Sequence, residues 1–168
     1  MNNAMTDTTR PASVGAPVQI SRHFNAPRQL VFQAWSTAAH IKAWFSPAGF
    51  TVPDAEIDFR PGGAFNVCMR SPQGECSWVR GSFVEVAPPD RLVIQGAVEF
   101  DGRARFTART TVIFTEEAGG TRLSVTQAYE ILDPNFMGAL TGAPQGWRET
   151  LDKLQQHLVG GAALRDRL

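Results

Sequence analysis

The sequence predicts an α+β domain: a curved seven-stranded antiparallel sheet, two short helices after the first strand, and a long C-terminal helix packed across the sheet. Three observations carry that expectation. One amphipathic stripe closes the chain, a run of segments between tight turns alternates with period two, and helical spacing appears early only between the first strand and the rest.

The closing stripe is GWRETLDKLQQHL, Gly146 to Leu158. Trp147, Leu151, Leu154 and Leu158 share one helical face, with Arg148, Glu149, Asp152, Lys153 and Gln156 on the others. Glu149 and Lys153 form an i,i+4 pair in the favourable order. Gly160-Gly161 predicts the stop. Such a helix cannot bury its stripe alone and needs a sheet to lie against.

Upstream, Val18 to Asn25 alternates as a strand, Val18, Ile20, Arg22 and Phe24 opposing Gln19, Ser21, His23 and Asn25. Pro27 opens a helix with Leu30, Val31, Ala34 and Trp35 on its buried side, broken at Ser36-Thr37. Ala38 to Phe45 is a second short helix, with Ile41, Trp44 and Phe45 at helical spacing, and Pro47 and Gly49 end it. From Asp54 the period becomes two. Strands are expected around Ala55–Phe59, Phe65–Met69, Ser77–Val86, Arg91–Ala97, Phe106–Thr115 and Thr121–Ile131. Their connections, such as Pro61-Gly62-Gly63 and Ser71-Pro72-Gln73-Gly74, are short enough to force antiparallel neighbours. Asp133-Pro134 reads as a cap and first helical residue, Asn135 to Leu140 as one or two turns, and Thr141 to Pro144 as a break.

A chain of 168 residues is most economically one domain, expected over residues 17–160 between an N-terminal tail, 1–16, and a C-terminal tail, 161–168. Net charge of +0 argues against a nucleic-acid partner held by electrostatics. Residues 1–16 lack the apolar core of a signal peptide, and no run reaches the length of a membrane span. A cytoplasmic protein is therefore expected. Cys68 and Cys76 are too few for a disulfide scaffold. If Arg70 pairs with Glu75 across the turn, the two thiols point to opposite faces; a slip of one residue would undo that.

The stretch AAHIKAWFSPAGFTVPDAEIDFRPGGAFNVCMR resembles bacterial activator-of-heat-shock-protein-90-ATPase-like proteins, of the START-like (SRPBCC; polyketide cyclase and Bet v 1-type) superfamily. GSFVEVAPPDRLVIQ, TEEAGGTRLSV and GWRETLDKLQQHL resemble the same family in the same order, so the similarity covers about Val18 to Leu158. Trp44-Phe45-Ser46-Pro47 departs from the family's commoner Trp-Trp-Gly-Pro but keeps the aromatic pair and the proline. The resemblance implies a helix-grip fold, often with a cavity between sheet and helix. It also implies a stress-linked or chaperone contact. The additional N-terminal domain of eukaryotic co-chaperones is not found in this sequence, which weighs against that second implication.

Little in the sequence points to catalysis. His23, His40 and His157 have no metal-ligand spacing, and neither a nucleophile elbow, a P-loop nor a dinucleotide fingerprint is present. No catalytic, metal or cofactor residue is assigned. Glu56, Asp58 and Arg60 share a strand face and read as solvated, with cross-strand pairing to Arg70. Arg80 and Glu85 fall on opposite faces of one strand, so either is a candidate to face inward. An inward Arg80 would anchor an anionic head group; the alternative is pairing with an acidic neighbour. The apolar candidates for the sheet–helix interior, as core or as pocket wall, are Trp35, Trp44, Phe45, Phe50, Phe59, Phe65, Met69, Trp78, Phe83, Phe114, Tyr129, Phe136, Met137, Trp147 and Leu151. Leu154 and Leu158 are expected in the dry core, with Trp147 and Leu151 bordering a cavity.

The function expected is non-enzymatic binding of a small hydrophobic molecule, a lipid or an aromatic polyketide-like compound. A co-chaperone or protein-interaction module is the first alternative, and a cyclase or dehydratase the second. A homodimer is the expected assembly.

Overall fold

The computed structural model describes the backbone of residues 16–165 and the side chains of residues 16–160. The N-terminal tail expected over 1–16 lies almost wholly outside the described residues. β1 (Val18–Phe24) leads into α1 (Arg28–Gln33) and α2 (Ala38–Trp44). Thr37 caps α2 by accepting the His40 N–H at 3.1 Å. Then follow β2 (Thr51–Ile57), β3 (Ala64–Arg70), β4 (Cys76–Ala87), β5 (Arg91–Phe100), β6 (Arg103–Glu117) and β7 (Gly120–Ile131). A 3-10 turn, Pro134–Phe136, and α3 (Met137–Thr141) connect to α4 (Ala143–Arg165). Asp133 caps the turn as its sequence position predicts, accepting the Asn135 N–H.

The strands form one antiparallel sheet in the order β1-β7-β6-β5-β4-β3-β2. α1 and α2 thus carry the chain from one edge of the sheet to the other, and β2 to β7 return as a meander. Inward rows follow the period-two pattern: Phe65 and Val67 on β3, Phe106, Ala108, Val112 and Phe114 on β6, Leu123, Val125, Tyr129 and Ile131 on β7.

The observed register and ion pairing depart from three expectations. Arg70 pairs with Cys76, not Glu75, so Cys68 lies across from Trp78 and both cysteines share the outer face as free thiols. Burial, and then the neighbouring Cys76, push the Cys68 thiol pKa up. On β4 the ladder shifts between Phe83 and Glu85, leaving Val84 as the extra, exposed residue and returning Val86 to the core side. Arg80 and Glu85 consequently both end outside, Arg80 on Glu99 at 3.3 Å and Glu85 on Arg91 at 2.9 Å. Asp58 pairs with Arg60, two residues along its own segment, at 2.7 Å, not with Arg70 across the sheet.

α4 runs past Gly160-Gly161 to Arg165, so the stop and the tail expected from residue 161 do not begin there. Glycine costs roughly 1 kcal/mol against alanine in a helix but keeps the N–H that proline lacks, so it does not by itself terminate one. Leu151 and Leu154 are fully buried, and Leu158 packs at the margin of the core. Polar ties fix the helix at its flanks. Arg22 on β1 donates from Nη1 to Asp152 Oδ1 at 2.5 Å and from Nη2 to the Arg148 carbonyl at 3.3 Å. Lys153 Nζ donates to Ser46 Oγ and to the carbonyls of Pro47 and Phe50, all at 2.8–2.9 Å. These three bonds use the whole donor capacity of the ammonium. Burial holds its pKa below the ordinary lysine value, with Glu149 opposing. No described helix is long and apolar enough to cross a membrane.

Leu154→Ala should cost on the order of 2–5 kcal/mol in denaturant unfolding. A loss well under 1 kcal/mol would mean that α4 is not seated on this residue.

Candidate functional site

The inner rows of the sheet are not filled evenly. Near β1, β7 and the two short helices the interior is dry, and Trp35, Trp44, Phe114, Leu123, Leu151 and Leu154 are almost wholly excluded from solvent. Toward β3, β4 and β5 the sheet bends away from α4 and leaves a cavity of about 280 Å³. Phe45, Pro47 and Phe50, at and after the end of α2, form one wall. Phe65, Met69, Ser77, Val79, Ile94, Gly96, Val98, Phe100, Phe106 and Ala108 form the sheet side. Ala139 of α3 stands at one end, and Ala143, Gly146, Trp147 and Thr150 present the face of α4.

The room comes from small residues at two places. Gly81 and Gly96 stand opposite each other on β4 and β5. A Cβ on Gly81 would fall 2.2 Å from the Gln95 carbonyl oxygen, so the strands approach there only because the residue is glycine. Gly96 lies between Ile94 and Val98 on the inner row and adds no side chain to the cavity floor. On α4, the Ala143, Gly146 and Thr150 positions run beside the leucine stripe. A Cβ on Gly146 would meet nothing nearer than Pro47 Cγ at 3.7 Å.

Polar groups cluster where β6 and β7 meet α4. Gln127 interrupts the inward row Leu123, Val125, Tyr129, Ile131, and Thr110 faces it directly on β6. Gln127 Oε1 accepts the Trp147 indole N–H at 2.9 Å and the Tyr129 hydroxyl, and its Nε2 donates to Thr110 Oγ1 at 2.7 Å. Desolvation pushes the Tyr129 hydroxyl pKa up to about 12, with the Trp147 N–H opposing part of the rise. Tyr129 is therefore an uncharged donor at neutral pH. Among the described residues, no Asp, Glu, Lys, Arg or His lines the cavity.

Of the residues singled out from sequence, Phe45, Phe50, Phe65, Met69, Tyr129 and Trp147 line this cavity. Trp35, Trp44, Phe83, Phe114 and Leu151 are dry core instead. Leu151, one residue or about 100° further round α4, does not border the space, and Thr150 takes that place. Phe59 packs edge-on against Phe32 and Phe83. Trp78 and Arg80 lie on the outer face, the guanidinium 4.3 Å from the indole centroid. Phe136 stacks on Phe100 behind the wall, and Met137 is exposed. The sequence reading passed over Thr110, Gln127, Gly96 and Gly146. The signal for Gln127 was present, a polar residue in phase with an apolar alternation.

The model of the family described as activator of Hsp90 ATPase homolog 1-like protein matches residues 25–159. No curated protein matches significantly. Among solved structures, a putative uncharacterized protein from Rhizobium leguminosarum is 28% identical, with a TM-score of 0.73 over 87% of this chain and 96% of its own. A protein from Nitrosomonas europaea is 25% identical, with a TM-score of 0.72 over 88% and 97%. The AHSA1 protein from Silicibacter pomeroyi, 24% identical with a TM-score of 0.71 over 86% and 98%, shares the fold.

Tyr129 is the single tyrosine of the chain, so its ionisation can be followed directly by near-ultraviolet absorbance. The native protein should titrate near pH 12, against about 10 after denaturation. A folded-state value raised above the unfolded one means that stability contributed by neutral Tyr129 is intact below about pH 10 and falls as pH rises from there toward 12. A native midpoint near 10 would place the hydroxyl in water.

Proposed function

We propose that this chain, which belongs to the activator of Hsp90 ATPase homolog 1-like family, binds a small hydrophobic molecule in the cavity between α4 and the sheet without changing it chemically. Lipids and aromatic polyketide-like compounds are the candidate classes. The observation that carries the reading is a half-open cavity with an apolar, aromatic-rich wall and a few convergent polar groups, the usual make-up of a small-molecule site.

The energetics point the same way. A helix-interior glycine costs roughly 1 kcal/mol against alanine, and an unfilled space forfeits dispersion contacts for every atom that lines it. Gly146, Gly96 and Ala108 bear those costs where larger residues would close the core. Retaining the space is understandable if an occupant restores the contacts. Acid–base turnover of a bound compound would need a titratable group within hydrogen-bond reach. The nearest chemistry this wall offers is hydroxyl, amide and indole. That favours sequestration or transport over a cyclase or dehydratase.

Two measurements test the proposal together. A hydrophobic compound that binds here should raise the melting temperature in proportion to its affinity and perturb Trp147 fluorescence. Gly146→Leu should plug the space: melting temperature without ligand should hold or rise, because the helix gains about 1 kcal/mol of propensity. Ligand-induced stabilisation should fall at least about tenfold in apparent affinity for the same variant. A broad lipid and aromatic library giving no stabilisation, or a Gly146→Leu protein binding as well as the parent, would overturn the reading.

A further inference from the structure

We infer that the occupant is an uncharged ring compound with one carbonyl group, read by Thr110 and Gln127 at the β6–β7 end of the cavity. This rests on the cavity being a ligand site, and it adds what the site selects.

The first argument is charge. A carboxylate or ammonium moved into this wall would lose its water and meet no counter-charge, a cost of several kcal/mol or more. The cations closest in the fold are already engaged elsewhere. Lys153 spends its three donors on the loop after α2, and Arg80 and Arg105 pair with Glu99 and Asp133 away from the space. Tyr129 stays a neutral hydroxyl.

The second argument is donor accounting. Gln127 Oε1 is filled by the Trp147 N–H and the Tyr129 hydroxyl, and one Gln127 N–H goes to Thr110 Oγ1. The remaining Gln127 N–H and the Thr110 hydroxyl proton have no acceptor among the described residues. Thr110 is itself only 6% exposed. Two spare donors set side by side in an apolar wall match one acceptor oxygen with two lone pairs, which is what a carbonyl presents. Gln127 is half-buried and the cavity half open, so water serves these donors until such an oxygen displaces it.

The third argument is shape. Gly96 leaves the sheet backbone bare at the cavity floor, and of the rings that line the space those of Phe65 and Trp147 each stand nearly perpendicular to that of Phe45. A flat ring can lie on such a floor and meet ring edges at its sides, the favourable aromatic geometry.

Calorimetric titration of the full chain with 2-acetylnaphthalene, 2-ethylnaphthalene and 2-naphthoate separates these terms. The ketone should bind at least about a hundredfold more tightly than the carboxylate. In Thr110→Val the ketone-to-ethyl affinity ratio should fall about three- to tenfold. A measurement that needs no variant accompanies this: the carbonyl stretch of bound ketone should move to lower frequency than in hexane. Comparable carboxylate binding, an unchanged ratio in a folded Thr110→Val, or a hexane-like stretch would overturn this inference and leave apolar binding standing. If neither ketone nor ethyl compound binds, the cavity reading itself falls, and this one with it.

Discussion

A single helix has to cover the concave face of a seven-stranded sheet, and it is too narrow to do so. α4 packs against β1 and α2, where Leu151 and Leu154 are completely buried and Arg22 and Lys153 tie its polar flanks. Having committed its leucine stripe there, it turns only a small-residue edge toward β3, β4 and β5. The rest of the molecule follows from that asymmetry. One half of the interior closes as a dry aromatic core, and the other must be filled by something else or stay open.

Phe45 is the joint between the halves. Its ring meets Trp35 and Trp44 edge-on at 5.8 and 5.4 Å on the dry side, and Phe65 and Trp147 at 5.4 and 5.9 Å on the open side. The loop that follows is held by the Lys153 ammonium, whose three bonds to Ser46, Pro47 and Phe50 fix the cavity wall to the helix that roofs it. Opening the space by moving this loop would break all three bonds to the half-buried ammonium. Arg105, bonded to Asp133 at 2.7 Å and lying 4.8 Å from the Phe136 ring centroid, anchors the opposite connection from β7 to α3. Both ends of the cavity are thus braced by a cation outside its wall, which lets the wall itself remain uncharged.

Much of this was legible in particular residues. Asp133-Pro134 marked its turn, Thr37 and Pro47 bounded α2, and the alternation from Ala55 to Ile131 named the strands in order. The site was legible only in part. Phe45, Phe65, Tyr129 and Trp147 were picked out because they are large and in phase, but the same reasoning picked Trp35 and Leu151, which are dry core. Size and phase identify an inward side chain and say nothing about whether the space beyond it is occupied. Trp78 is misplaced for a different reason, since a strand has two faces and an amphipathic indole is compatible with either, whereas Arg80 takes the alternative left open for it, pairing with an acidic neighbour, Glu99.

By itself the sequence determined the order and type of the elements, because the periods of 2 and 3.6, the turn glycines and the caps are local properties of a few neighbouring residues. The helix-grip fold was implied by the family resemblance, and the local order of elements agrees with it. The amphipathic stripe of Gly146–Leu158 likewise required a sheet beneath it. Only the tertiary structure decided which stretch of that sheet it covers. Register was also decided there: one residue of slip between β3 and β4 put both cysteines on one face, and the extra Val84 turned Glu85 outward. The cavity belongs wholly to this second level. It depends on where Gly96, Gly146, Thr110 and Gln127, from three strands and a helix far apart in the chain, come to face one another, and no local pattern encodes the distance between them.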